Sequence, residues 1–227
     1  MIKRILVWLT LLGLIIIFIP FLREFEFQSE LSELSSQYVE GSYNTLKSQN
    51  VVTSVIVTYR GLDTLGEVTV LFLATVGVGF LLKKKKRGKK LRKASELLQT
   101  TSNFLFVLII LTGVYIFTHG HLTPGGGFQG GVLITTAFLL LILSDINLQL
   151  NQLILRTIES FSGFFYVFIG LLGLLFIGLN SFLNPRILPA GEIGKLFSAG
   201  AIPLIYSFIG LKVGSELTTI LQKMGDR

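Results

Sequence analysis

Cysteine is missing from this chain, which removes disulfides, thiolate metal sites and cysteine-held iron–sulfur clusters from its chemistry. Histidine occurs twice, with no H-E-x-x-H, and no nucleophile–base pair is recognisable, so neither a metal site nor an enzyme active site is expected. No cofactor is expected either. Charge is scarce: Asp, Glu, Lys and Arg together make 15% of 227 residues, against 51% hydrophobic residues and 19 Phe. With a mean hydropathy of +0.70, so much apolar surface has no place in a soluble domain of this size. The chain reads as a polytopic membrane protein surrounded by a lipid bilayer.

Six segments reach the length of a spanning helix, about 17 to 25 residues. They run over about Ile5–Leu22, Leu65–Leu82, Asn103–Thr118, Phe128–Ser144, Phe161–Leu179 and Leu196–Gly214. Lys3 and Arg4 before the first give it the look of a secretory signal, but the apolar run is long and ends at Pro20-Phe21-Leu22 without small residues, so it is expected to stay as an anchor. With the N-terminus inside, 15 Lys and Arg fall on the inner side, and only Arg23, Lys47, Arg60, Arg186 and Lys195 fall outside. The expected fold is therefore an all-α protein of the cell membrane with about six transmembrane helices and both termini cytoplasmic.

Nine of those cations crowd between Lys83 and Lys93. A short basic loop after a spanning helix is what the sidedness rule predicts, so it is not assigned to nucleic acid. The run divides the chain into a two-helix part, residues 1–95, and a four-helix part, residues 96–227. Between the first two helices, Leu31, Leu34 and Tyr38 recur at helical spacing, while β-branched Val51–Tyr59 reads as extended. An external helix followed by an extended stretch is expected there, packing against a partner.

Asp63 and Glu67 stand four residues apart at the start of the second span, on one helix face. A carboxylate one turn inside an apolar span normally faces a cavity or a partner. Thr64-Leu65-Gly66-Glu67 also fits a capping box, and acids suit a helix N-terminus, so capping and cation handling both stay open. Asp145 and Glu159 sit at span ends, and Lys212 with Glu216 reads as an ion pair at the cytoplasmic end of the last helix. The centres of all six spans are otherwise almost free of charge.

Between two apolar runs lies Thr118-His119-Gly120-His121-Leu122-Thr123-Pro124-Gly125-Gly126-Gly127-Phe128-Gln129-Gly130-Gly131. Gly125, Gly127 and Gly130 formally satisfy G-x-G-x-x-G, but the flanks are membrane helices rather than a strand and a soluble βαβ unit, so a dinucleotide is not expected. Gly126 with Gly130, and Gly127 with Gly131, instead give the spacing at which helix backbones approach closely. His119 and His121 suit a proton relay or interfacial hydrogen bonding, and their two-residue separation does not suit a helical metal pair.

The segment from His119 to Gly131 resembles the signature of the B subunit of Mrp-type multisubunit sodium/proton antiporters, and residues 96–227 suit that subunit's size. Upstream, Val55-Ile56-Val57-Thr58-Tyr59-Arg60-Gly61-Leu62-Asp63-Thr64-Leu65-Gly66-Glu67 is similar to the C-terminal end of the Mrp A subunit, a segment that recurs as a separate small subunit in archaeal membrane-bound hydrogenases. The resemblance implies a fusion of two neighbouring subunits, partnered by other Mrp-type membrane subunits and, in a hydrogenase or sulfane sulfur reductase, by a redox module. It implies a non-catalytic part in moving Na+ and H+, with Asp63, Glu67, His119 and His121 as cation-path candidates. The glycines Gly125, Gly126, Gly127, Gly130 and Gly131 then serve the loop and helix packing. Two alternatives are weighed against this: a scaffold without ion contact, and a small self-contained channel, which would need charges deep in its spans.

Overall fold

A computed structural model describes residues 2–24, 30–82, 94–145, 148–178 and 181–225. The basic run over 83–93 and the acid Glu26 lie outside them. The described residues contain helices and turns and no strand. Five helices are long and apolar enough to cross a membrane: α4 (Gly61–Leu81), α5 (Glu96–Thr118), α6 (Gly127–Ser144), α7 (Gln152–Phe176) and α8 (Ile202–Gly225). The sixth expected span, α1 (Ile2–Glu24), is helical throughout, but its apolar stretch Arg4–Pro20 is shorter than the other five. It belongs to a compact unit of residues 1–37 and exposes apolar side chains all round, Trp8 among them. Residues 38–227 form a second unit.

The external segment is helical where an extended stretch is expected. After α2 (Glu33–Glu40) and a π-helical turn over Gly41–Thr45, Asn50 caps α3 (Val51–Ser54) by accepting the Thr53 N–H at 3.3 Å, and a second π-helical turn covers Val55–Tyr59. β-Branched residues cost a helix only tenths of a kcal/mol each. With a good cap and no neighbouring strand among the described residues, that preference is overridden. The capping box at Thr64 is also not formed. α4 already starts at Gly61, and the Thr64 hydroxyl donates to the Ile56 carbonyl at 2.8 Å, tying α4 to the turn before it. Ser95 and Asn151 do cap α5 and α7 through the Leu98 and Leu153 N–H groups.

The spans pack around α8, whose Ile202, Ile205, Ile209 and Val213 are fully buried. Bare backbone brings α6 against it: a Cβ on Gly127 would sit 2.7 Å from Ile209 Cβ, and one on Gly131 would sit 2.8 Å from the Gly210 carbonyl oxygen. On the opposite side Gly130 faces Gly113 of α5. Lipid offers helices no hydrophobic reason to associate, so close van der Waals approach of small residues must do so. α7 meets α8 through the stacked rings of Phe165 and Phe208, 5.5 Å apart.

Two bounds of the last helix differ from expectation. Residues 196–201 form a turn in which Gly200 has φ +58°, and α8 begins only at Ile202. It then runs on to Gly225, past the expected end at Gly214, because Val213, Leu217, Ile220 and Met224 continue its apolar stripe. The pair Lys212–Glu216 therefore lies within the span rather than at its cytoplasmic end.

Most hydroxyls in the spans are satisfied within their own helix. Those of Thr69, Thr75, Ser102, Thr112, Thr136, Ser162, Ser207 and Thr219 donate to the carbonyl four residues back.

Candidate functional site

Side chains from three elements hold the loop between α5 and α6. α5 ends at Thr118 and α6 resumes at Gly127, so residues 119–126 present free carbonyl groups that a buried loop must satisfy. The Asn50 amide donates to Gly120 O at 2.8 Å and Thr123 O at 3.1 Å. The Thr53 hydroxyl donates to Gly120 O at 2.6 Å, and the Ser48 hydroxyl to His121 O at 3.1 Å. The backbone N–H groups of Gln49 and Asn50 also donate to His121 O. From α8, the Tyr206 hydroxyl donates to Thr53 Oγ1 at 3.3 Å. The Tyr206 ring lies flush against Gly120 and Gly126, where a Cβ would collide with it or press closely upon it.

His121 is fully buried in this clasp. Its Nε2 lies 3.4 Å from the Lys195 carbonyl, which can only accept, so Nε2 carries the proton and Nδ1 is left with no partner. Burial holds its pKa below the ordinary value of 6.5, with nearby His119 acting in the same direction and backbone hydrogen bonds opposing. His119 is half-buried, stacks on Tyr115 at 4.1 Å, and has Nδ1 3.1 Å from the Tyr115 carbonyl. The two rings thus serve different partners. No group of three or more His, Asp or Glu that could hold a metal occurs among the described residues.

The acids of α4 also part company. Asp63, in the first turn, is exposed and pairs with Arg60 at 2.6 Å. Glu67 sits one turn deeper, about 9 Å along the axis from Gly61. It is exposed in the isolated chain yet near enough to act electrostatically on Tyr166 and Tyr206. Through Tyr206 and Thr53, Glu67 and the glycine loop belong to one polar neighbourhood; Asp63 does not take part in it.

Sequence reasoning missed the clasp residues Ser48, Asn50 and Thr53, which look like ordinary loop and turn residues. It also misplaced the ion pair of α8. Lys212 Nζ lies 2.6 Å from Glu216 Oε1, with the two side chains 12% and 0% exposed, and Lys212 lies over the Phe72 ring of α4 at 5.2 Å. The spans are therefore not all free of central charge. The unbroken apolar stripe through Met224 is the signal that places the pair mid-helix.

Residues 97–219, more than half of the chain, match the family described as a domain related to the MnhB subunit of Na+/H+ antiporter, and residues 13–101 match the family described as the E subunit of MBH. A protein of uncharacterised function from Methanocaldococcus jannaschii is 32% identical over 201 residues, covering 75% of this chain and 74% of that protein. A putative antiporter subunit, mnhB2, of Staphylococcus epidermidis is 40% identical over 63 residues, covering 27% of this chain and 45% of its own length. A probable K+/H+ antiporter A/B subunit of Rhizobium meliloti is 27% identical over 133 residues, covering 47% of this chain and 13% of that much longer protein. Among solved structures, a chain of the membrane-bound sulfane sulfur reductase, an archaeal respiratory membrane complex, superposes with a TM-score of 0.84 at 42% identity, covering 99% of this chain and 98% of that one. A chain of the Mrp complex from Dietzia shares the fold, with a TM-score of 0.69 at 24% identity over 86% of this chain and 23% of its own. With its glycine-loop helices inside the matched region, this chain belongs to the family of domains related to the MnhB subunit of Na+/H+ antiporters.

Proposed function

We propose that this chain is an integral, non-catalytic subunit of a multisubunit complex that moves sodium ions and protons across the cell membrane. The end-to-end likeness to a chain of a respiratory membrane complex carries this reading, and the family match supports it. Its partners are other Mrp-type membrane subunits, joined by a redox module where the complex is of the hydrogenase or sulfane sulfur reductase kind. Any redox chemistry resides in those partners. Residues 1–95 correspond to the Mrp A-like segment and residues 96–227 to the B-like part. Both termini face the cytoplasm: with Lys212 counted in the span, fourteen Lys and Arg remain on the inner side against five outside.

Glu67 is the residue on which ion handling depends most. A carboxylate exposed on a helix face two turns into a span must be covered by water or by a polar partner once lipid surrounds the chain. In the complex, Glu67 and the clasp around His121 lie along the cation path; Asp63 and His119 flank it. The test is Glu67→Gln in the intact complex reconstituted in vesicles. Normal assembly with loss of sodium-dependent proton movement is the expected outcome. Unchanged transport would leave a structural scaffold, and robust flux through the purified chain alone would make it a self-contained channel.

A further inference from the structure

The Lys212–Glu216 pair is built differently from an ordinary surface bridge. Along α8, Lys212 stands about 15 Å and Glu216 about 21 Å from Ile202 in a helix about 36 Å long, so both lie well inside the span. Glu216 is completely buried, and while Oε1 accepts from Lys212 Nζ at 2.6 Å, the buried Oε2 has no hydrogen-bond partner. Lys212 is received by two other helices. Phe72 of α4 lies under its ammonium group, and Gly163 of α7, having no side chain, leaves room for its stem.

The charges facing the pair are few. From α7, Glu159 acts on Glu216 electrostatically, with Arg156 about one turn before it; on α8 itself Lys223 stands about two turns beyond Glu216, its ammonium group against Gly79 of α4. α6 contains no ionisable residue, and the only acids of α4, Asp63 and Glu67, lie in its first two turns. α5 packs on α8 with its ionisable residues near its ends. With all three groups ionised, Lys212, Glu216 and Glu159 carry one net negative charge between them, beside a buried oxygen with nothing to accept from. One added proton makes the three neutral together and gives that oxygen a hydrogen. A metal cation fits less well, since hard cations need several oxygen ligands and the Lys212 ammonium already occupies the one bound oxygen.

We propose that Glu216, anchored by Lys212 and balanced by Glu159, is a proton-binding site within the membrane span. The proton resides on Oε2. Glu159, whose charge acts on the site, lies about 10 Å from the Gln152 end of α7. A part in transport rests on the function proposed above, but the existence of the site does not.

Infrared spectroscopy of the full chain in lipid nanodiscs tests this directly, in a Glu67→Gln background so that Glu67 contributes no signal. At neutral pH the carbonyl band of one protonated, buried carboxyl group is expected. Adding Glu216→Gln should abolish it, and so should Glu159→Gln, which removes the excess negative charge. Should Glu216→Gln fail to fold, Glu159→Gln carries the test alone. Absence of the band at neutral pH, or its survival in either variant, overturns the proposal. Because none of these measurements involves transport, they stand or fall separately from the Glu67 experiment on the complex.

Discussion

Replacing Gly131 by alanine should weaken the bundle by about 2 kcal/mol. The new methyl group would lie 2.8 Å from the Gly210 carbonyl oxygen and from Val213 Cβ, and neither can rotate aside, because one is backbone and the other is a branch point. Overpacking of this kind costs about 1–3 kcal/mol, and immovable neighbours place this case near the top of the range. The better helix propensity of alanine returns roughly 1 kcal/mol. The difference corresponds to about a 30-fold shift in the folded-to-unfolded ratio. Gly77→Ala in α4 is the matched control, since a Cβ there meets nothing within 4 Å, and it should be neutral or gain up to about 1 kcal/mol. Unfolding by SDS in mixed micelles, followed by far-UV circular dichroism, measures both. Fluorescence would not serve, because the single tryptophan, Trp8, lies in the unit of residues 1–37. If Gly131→Ala matches the wild type, or Gly77→Ala falls equally far, bare-backbone contact between α6 and α8 is not what holds them.

Two further predictions concern the clasp. Asn50→Ala removes two donors from Gly120 and Thr123 and the cap of α3, and should cost about 2–3 kcal/mol, seen as faster amide exchange at residues 49–53 and 119–123. His121, held neutral by burial, contributes no pH dependence above the ordinary histidine pKa of 6.5. Below it, the unfolded chain takes up a proton that the folded chain resists, so stability falls as pH drops through that value toward the lower folded-state pKa. Melting curves between pH 8 and pH 5 should show this decline, and His121→Asn should flatten it; a flat wild-type profile would contradict a neutral, buried His121.

Much of the fold was legible because a lipid-embedded helix advertises itself by length and apolarity, as α5, α6 and α7 do. The bounds of α8 were not, because Ser215, Glu216, Thr218 and Thr219 interrupt its hydropathy while leaving its apolar stripe intact. A hydropathy window averages over all faces of a helix, so it ends the span where one buried face turns polar. The external segment was misjudged for a related reason: β-branched Val51–Tyr59 has strand-like composition, but a single Asn50 side chain starts a helix there. At the candidate site, the glycine loop was visible as a motif. Its supports at Ser48, Asn50 and Thr53 lie some seventy residues away in sequence, and nothing in their local pattern announces a carbonyl to be satisfied.

Because span hydroxyls bond back within their own helices, few hydrogen bonds fasten one span to another. Among the described residues, Thr135 reaches the Gly214 carbonyl and Gln222 reaches Gln152 and Leu150, riveting α8 to α6 and to the start of α7. Among those same residues α4 has no such rivet to α5–α8; it touches α8 through apolar side chains and the Phe72–Lys212 contact. Along α8, the helix bearing Glu67 is thus held by side-chain packing and the Phe72–Lys212 contact rather than by hydrogen bonds. A small axial slip there would change what Glu67 faces and, through the Thr64–Ile56 bond, would pull on the turn that leads back to the clasp.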